Sequence, residues 1–235
     1  MALPIDTLLR DDELTLRWLP GSTPRMVVVF TGLKARVGGQ PLDEFARSAS
    51  MSGQNNVLFV TDERASWYSA RGLWARIVRS VRTIRNAEGI REVVSLGTSM
   101  GGFGALLLPR DLRVTRAIAF APQVTMDRAV LDDIRWPDVA KRWGSLVERD
   151  LPATMGTTRT QYYVSAGGNC PEDLGHLNLL PEHKRVHRFV LPRGRHNLAR
   201  SLKDAGVLSD VIAAILRGNK ARVERLYEKY AEVMA

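Results

Sequence analysis

Residues 92–103 place a serine directly between an apolar strand and a helix of small residues, in the order Glu-Val-Val-Ser-Leu-Gly-Thr-Ser-Met-Gly-Gly-Phe. A strand that runs straight into a helix needs a very sharp turn, which strains the serine backbone and lifts its hydroxyl out of the sheet. The turn is crowded, so we expect side chains at Gly97 or Gly101 to collide with neighbouring backbone. The first N–H groups of the helix point toward an oxyanion formed there. The segment therefore predicts a nucleophile, Ser99, and half of an oxyanion hole.

Apolar runs and helical periodicities alternate along the chain. The predicted strands are 14–19, 26–30, 56–61, 93–96, 115–121, 160–165 and 186–191, and the predicted helices are 43–51, 71–86, 100–108, 198–217 and 220–234. This alternation indicates an α/β protein with a mostly parallel sheet and helices on both faces. The first strand alternates and ends at Pro20-Gly21, which is typical of an antiparallel edge strand.

The length of 235 residues predicts one domain, 1–235, that buries a full core. Residues 123–158 are longer than an ordinary connection, so we expect a cap insertion with its own helices over the site. Residues 219–235 form an extra C-terminal helix that is amphipathic. We expect it to pack on its own chain, and the alternative is a homodimer formed through this helix.

The composition is that of a soluble globular protein, with 45% hydrophobic and 25% charged residues. No stretch is long and apolar enough to span a membrane, and the N-terminal residues do not resemble a signal peptide. Cys170 is the only cysteine, which excludes an internal disulfide and favours a reducing, cytoplasmic location. With a serine elbow present, we interpret this cysteine as a neutral loop residue.

The net charge of +9 favours anionic partners. Several arginines punctuate an apolar helical pattern over residues 71–86, which we interpret as the solvated outer face of a helix covering the sheet. Because no nucleic-acid motif accompanies the charge, we do not expect a nucleic-acid partner.

The sequence resembles the α/β-hydrolase superfamily over residues 14–217. The resemblance is carried by the elbow at residues 97–101 and by His196, which follows the strand 186–191. It implies that His196 accepts the Ser99 proton and returns it to the leaving group. The run 119–123, Ala-Phe-Ala-Pro-Gln, resembles small hydrolase-like proteins that are found alone or attached to polysaccharide-modifying enzymes. The other histidines show no metal-ligand spacing, so we expect no metal site; they are His176, His183 and His187.

The acid of the implied triad follows the strand 160–165 in this superfamily. Asp173 is our first choice for orienting His196 and stabilising its charged form. Many relatives carry an aspartate closer to the glycine turn, where this chain has Asn169. Glu172 and Asp127 therefore stay as alternatives.

The second oxyanion donor is implied by the same resemblance. It belongs to the loop after the strand 26–30, so Leu33 N–H is assigned together with Met100 N–H. Thr31 adds a hydroxyl to that loop. Aromatic residues are candidates for a substrate pocket, although such residues pack in a core more often; with Thr31 the candidates are Trp67, Tyr68, Trp136 and Trp143.

These features together predict a serine hydrolase that cleaves a carboxylic ester through a Ser-His-Asp triad and an acyl-enzyme, without a cofactor. The expected substrate is a small-molecule or carbohydrate-linked ester. One alternative is an acyltransferase that uses the same triad to acylate a hydroxyl group. The other is a non-catalytic binding module that holds an anionic partner on its basic surface.

Overall fold

The computed structural model describes residues 3–33, 36–37, 40–41, 43–137 and 151–233. The strands are β1 (Asp6–Arg10), β2 (Leu14–Leu19), β3 (Arg25–Phe30), β4 (Arg36–Val37), β5 (Gln40–Pro41), β6 (Asn56–Asp62), β7 (Glu92–Thr98), β8 (Arg116–Phe120), β9 (Gln161–Gly167) and β10 (Val186–Leu191). The helices are α1 (Ala46–Ser50), α2 (Leu73–Ala87), α3 (Met100–Leu107), α4 (Leu151–Thr157), α5 (Pro171–Asn178), α6 (Leu198–Asp204), α7 (Leu208–Leu216) and α8 (Lys220–Val233).

One eight-stranded sheet organises the described residues, in the order β1-β2-β6-β3-β7-β8-β9-β10. The six strands from β6 to β10 in this order are parallel to one another. Strand β2 pairs antiparallel with both of its neighbours, β1 and β6. The antiparallel pairing of residues 14–19 agrees with the prediction, but their edge position does not. β1 lies outside β2, and its mostly exposed residues carry no alternating apolar pattern that would reveal a strand.

Both faces of the sheet are covered by helices, as predicted. In β3, Val28 and Phe30 belong to the apolar cluster on one face, and Val27 and Val29 belong to the cluster on the other. The first cluster includes apolar residues of α2, α3, α4 and α5, and the second includes residues of α1, α6, α7 and α8. Strands buried on both faces read as continuous apolar runs, which is why the central strands were predictable.

The basic helix α2 covers the sheet as the sequence indicates. Its apolar stripe, which includes Leu73, Ile77 and Val81, is buried. Arg79 and Arg82 are exposed on the opposite side.

Two predicted helices have wrong bounds, and one helix is missing from the prediction. The predicted helix 198–217 is two helices, because Gly206 adopts a left-handed conformation with φ +73° between them. The predicted helix 43–51 is only α1, because Phe45 at its start is also left-handed. Helix α5 was not predicted at all, although Pro171 at its first turn is a typical start signal.

The structure describes residues 123–137 and 151–158 of the predicted cap insertion. Residues 138–150, which include Trp143, lie outside the described residues. Residues 123–137 carry turns and extended chain up to Pro137, and part of them reaches the site. Helix α4 instead packs against α3 and the following 3-10 turn, with Met155 buried in the core.

Helix α8 packs on its own chain, as expected. Val223, Leu226 and Tyr230 are buried, and the Tyr227 hydroxyl lies 2.7 Å from the Ser165 hydroxyl of β9. The apolar face of the helix is thus used within the chain. Among the helices of the described segments, none has the length and apolar character needed to cross a lipid bilayer.

Candidate active site

Ser99 sits on a strained turn between β7 and α3. Its φ of 53° and ψ of −122° lie outside the regions that most residues adopt. A Cβ added to Gly97 would overlap the carbonyl of Gly101, and a Cβ on Gly101 would overlap the carbonyl of Phe30. Since backbone cannot move aside as a flexible side chain can, only glycine fits at both positions. The predicted crowding around the turn is confirmed.

The serine, His196 and Asp173 form a continuous hydrogen-bonded chain. Ser99 Oγ lies 3.0 Å from His196 Nε2. His196 Nδ1 lies 2.9 Å and 3.1 Å from the two carboxylate oxygens of Asp173. These distances are those of ordinary hydrogen bonds.

Asp173 and His196 meet because two neighbouring parallel strands end side by side. Asp173 lies in the first turn of α5, after β9, and His196 lies in the loop between β10 and α6. The two loops are tied together by a hydrogen bond from Asn169 N–H to the Gly194 carbonyl, 2.9 Å. Residues 23 positions apart in sequence thereby face each other at the carboxyl edge of the sheet.

The electrostatics of Asp173 determine the position of the hydrogen on the histidine. Burial raises the pKa of the Asp173 carboxyl, but hydrogen bonds from His196 and Arg135 outweigh it, so the net pKa is lowered. An ionised carboxylate only accepts hydrogen bonds, so the imidazole hydrogen lies on Nδ1. Nε2 is then free to accept the Ser99 hydroxyl hydrogen.

The two alternative acids contact their own chain neighbours. Glu172 Oε2 accepts a hydrogen bond from Cys170 Sγ, at 3.4 Å. Asp127 Oδ1 accepts a hydrogen bond from Ala129 N–H, at 3.0 Å, within a turn.

The two residues assigned as oxyanion donors lie at the start of α3 and in the loop after β3. Met100 opens α3, so its N–H has no acceptor within the helix. Leu33 follows β3 and lines the same cavity as Ser99. The preceding Gly32 N–H donates to Glu44 Oε2 at 2.7 Å, which holds this loop in place. Burial raises the pKa of the Glu44 carboxyl, and this hydrogen bond opposes the rise.

A cavity of about 1050 Å³ opens in front of Ser99 and His196. Leu33, Phe45 and Trp136 supply apolar wall. Charged side chains also line the cavity; they are Arg47, Arg200, Lys203, Asp43, Glu44 and Asp204. Asp43 is paired with Arg17, and Asp204 with Arg200 at 3.7 Å.

The predicted pocket residues separate into two groups. Trp136 lines the cavity, but Trp67 and Tyr68 are fully buried in the core, and Thr31 is 1% exposed. The Tyr68 hydroxyl donates to the Thr31 carbonyl at 2.8 Å, and the Trp67 ring lies 6.1 Å from the Trp136 ring. Thr31, Trp67 and Tyr68 therefore pack in the core next to the cavity. Their burial fits the interpretation as core residues better than the interpretation as pocket-lining residues.

Sequence reasoning missed a polar network from residues 123–137. Arg135 Nη1 lies 2.9 Å from Asp173 Oδ1, and Gln123 Oε1 lies 3.2 Å from Ser99 Oγ. Asp133 contacts Arg135 and the buried His176. Gln123 lies in the run 119–123 that carries part of the family resemblance. No motif marks Asp133, Arg135 or His176, and the contacts from Asp133 to His176 and from Arg135 to Asp173 join residues 43 and 38 positions apart in the sequence.

Cys170, Asp173 and His196 form a group whose ligand atoms lie within 4.8 Å of one another. Burial raises the pKa of the Cys170 thiol to about 11, so it stays protonated at neutral pH. The Arg135 guanidinium lies 3.5 Å from its sulfur and opposes a second cation there. The arrangement suits proton transfer better than metal binding.

No protein-family model matches the chain, and no curated protein matches it in sequence. Solved structures do match. A capsule O-acetyltransferase of Neisseria meningitidis serogroup A matches with TM-score 0.63 and 14% identity, over 88% of this chain and 93% of that one. A putative esterase from Staphylococcus aureus matches with TM-score 0.63 and 14% identity, over 92% and 84%. The fold is that of the α/β-hydrolases.

Est1E from Butyrivibrio proteoclasticus shares this α/β-hydrolase fold, with TM-score 0.63 and 10% identity over 92% of this chain and 99% of that one. A mutant of the Neisseria acetyltransferase is solved in complex with CoA. At identities this low the likeness concerns the fold. The predicted fold class is thus confirmed, while the chemistry has to be argued from the site itself.

Proposed function

We propose that the protein is a serine hydrolase that cleaves a carboxylic ester through an acyl-enzyme. The observation that carries this proposal is the chain from Ser99 Oγ to His196 Nε2, and from His196 Nδ1 to Asp173, beside an open cavity. A nucleophile, a base and an orienting acid in hydrogen-bond contact form the constellation that acyl transfer requires.

In the first half of the reaction, Ser99 Oγ attacks the ester carbonyl carbon while His196 Nε2 takes the hydroxyl proton. The Asp173 carboxylate stabilises the imidazolium that forms. The carbonyl oxygen becomes an oxyanion and is held by Met100 N–H and Leu33 N–H. Each such donor lowers the barrier by about 3 kcal/mol.

The tetrahedral intermediate collapses when His196 Nε2–H protonates the departing alkoxide. The C–O bond to the alcohol breaks and the acyl group remains on Ser99 Oγ. Water then attacks this acyl-enzyme, and His196 takes the water proton and returns it to Oγ as the acid leaves.

The cavity wall guides the choice of substrate. Trp136 offers an aromatic surface near Ser99, and Arg47 and Lys203 contribute positive charge to the same cavity. Aromatic rings stack on sugar and acyl surfaces, and cations attract acidic groups. We therefore propose an ester on an acidic or carbohydrate-linked molecule.

The test is labelling with a fluorophosphonate at neutral pH, followed by mass spectrometry of the adduct. We expect a single adduct on Ser99 in the wild type and none in Ser99→Ala. Ser48→Ala is the matched control, because Ser48 lines the same cavity but contacts Ser209 rather than a histidine. A folded wild type that is not labelled would contradict the proposal and favour the binding module.

A second candidate is acyl transfer to a sugar hydroxyl. It is favoured by the likeness to a capsule O-acetyltransferase over most of both chains. The same acyl-enzyme would be attacked by the acceptor hydroxyl in place of water. Incubation with acetyl-CoA, with and without oligosaccharide acceptors, separates the two reactions. If the protein transfers the acetyl group, the rate of CoA release rises when an acceptor is added, and the acetyl group is found on the acceptor.

A further inference from the structure

Arg135 joins two carboxylates that come from different segments of the chain. Its Nη1 donates to Asp173 Oδ1 at 2.9 Å. On its other side, Nη2 and Nε donate to Asp133 at 2.6 Å and 2.9 Å. A planar guanidinium presents its donors in a fixed fork, so the position of one carboxylate constrains the other.

The Asp133 end of this bridge is itself anchored. The side chain of Asp133 is 4% exposed, and Oδ2 lies 3.1 Å from Nε2 of His176, which is fully buried. His176 Nδ1 accepts a hydrogen bond from Val124 N–H at 3.3 Å, so its Nε2 carries the hydrogen that Asp133 accepts. Asp133 also accepts the Arg135 backbone N–H at 3.0 Å. The carboxylate is therefore fixed from several directions.

The Asp173 end of the bridge reaches the proposed triad. The Asp173 side chain is fully buried and receives both His196 Nδ1–H and the Arg135 guanidinium. With the imidazole alone as a partner, this carboxylate could rotate about its last torsion and lose one of its two contacts to Nδ1. The guanidinium removes that freedom. It also balances the two buried carboxylates, which would otherwise repel each other.

We propose that Arg135 is a positioning residue that holds Asp173 in the orientation His196 requires, and that segment 123–137 thereby completes the catalytic geometry. This inference rests on the proposed function. Arg135 Nη1 also lies 3.2 Å from His196 Nδ1, beside the Asp173 oxygen to which it donates. Arg135 therefore acts on the Asp173–His196 pair and not on the substrate, because its fork is engaged by the two carboxylates while its neighbour Trp136 lines the cavity. Its loss should therefore lower kcat and leave KM unchanged.

The experiment compares Arg135→Gln and Arg135→Lys with the wild type, using p-nitrophenyl acetate hydrolysis and the rate of fluorophosphonate labelling. For Arg135→Gln we expect kcat to fall about 100-fold, the effect of a small misplacement of a catalytic group. For Arg135→Lys we expect about a tenfold fall, because a single ammonium does not reproduce the fork. KM should change by less than about twofold in both.

Arg128→Ala is the matched control. Arg128 lies in the same segment and pairs with Asp132 at 2.6 Å, but both side chains are more than half exposed. Exposed pairs contribute little, so its kcat should equal that of the wild type.

Chemical rescue separates positioning from folding. In Arg135→Ala, added guanidinium should occupy the space between the two carboxylates and restore part of kcat. Tetramethylammonium at the same concentration should not, because it cannot donate hydrogen bonds. Thermal unfolding of each variant shows that the folded protein is being compared.

Three results would overturn the inference while leaving the proposed function intact. They are an Arg135→Gln variant with wild-type kcat, a rise in KM with unchanged kcat, and a folded Arg135→Ala variant that guanidinium does not rescue. A wild type that fails to label at Ser99 would instead overturn the proposed function, and this inference with it.

Discussion

The nucleophile and the acid of the candidate site are held in place by different means. Ser99 is positioned by backbone, since a strand, a strained turn and a helix start leave it one location. Asp173 is positioned by side chains, through hydrogen bonds and charges contributed by Arg135, Asp133 and His176. The first arrangement tolerates no added volume, and the second tolerates no lost donor or charge.

The largest expected effect comes from the acid side. Asp173→Asn should lower kcat about 10⁴-fold, because an amide no longer holds the His196 hydrogen on Nδ1. Glu172→Gln is the control from the same helical turn, and we expect its kcat to lie within about twofold of the wild type. Steady-state ester hydrolysis measures both. Equal losses in the two variants would contradict the assignment of the acid.

The nucleophile side should instead be sensitive to volume. Gly101→Ala places a methyl group against the Phe30 carbonyl, so we expect a loss of about 3 kcal/mol in unfolding free energy or a failure to fold. Gly156→Ala adds the same methyl in α4, where no atom beyond its chain neighbours and the helix's own backbone lies within 4 Å. It should be neutral or stabilise by up to about 1 kcal/mol. Urea unfolding compares them, and similar values for both would show that the elbow is less crowded than its geometry indicates.

The stability that the network around Asp173 contributes should also depend on pH. Burial raises the pKa of the Asp133 carboxyl, but hydrogen bonds from His176 and Arg135 outweigh it and hold the pKa well below its usual range. A carboxyl with a lowered folded pKa contributes stability that is fully present above its unfolded value of about 4 and is lost as pH falls toward the folded value.

The corresponding variant is Asp133→Asn. It should be less stable than the wild type by about 2 kcal/mol at neutral pH, and this difference should shrink below about pH 4. Urea unfolding of both proteins from about pH 7 to about pH 3 gives the difference as a function of pH. A difference that stays constant over this range would mean that the charge of Asp133 contributes nothing.

The smallest expected effect concerns the buried hydrogen bond between Tyr68 and the loop after β3. Tyr68→Phe removes the hydrogen bond to the buried Thr31 carbonyl, so stability should fall by about 1 kcal/mol. KM for an ester should not change, because the Tyr68 ring lies in the core. A higher KM would indicate that Tyr68 contacts the substrate, and would contradict its assignment to the core behind the serine turn.

Local patterns were enough to predict much of the fold and part of the site. The apolar central strands, the elbow at Ser99 and the loop carrying His196 all depend on short stretches of sequence. The same reasoning missed β1, whose residues are mostly exposed, and the break at Gly206, which one glycine in a helical pattern does not reveal. It also missed α5, although the residue predicted to be the acid, Asp173, lies in the first turn of this helix.

The sequence by itself determined the parallel α/β architecture and the place of Ser99, the proposed nucleophile, because strand and helix periodicity and the steric demands of a glycine-flanked turn act between near neighbours in the chain. Only the tertiary structure decided what surrounds the acid. Arg135 and Asp173 are 38 residues apart, and Asp133 and His176 are 43 apart. No local pattern encodes such pairs, since their hydrogen bonds exist only after the sheet has brought these loops to one edge.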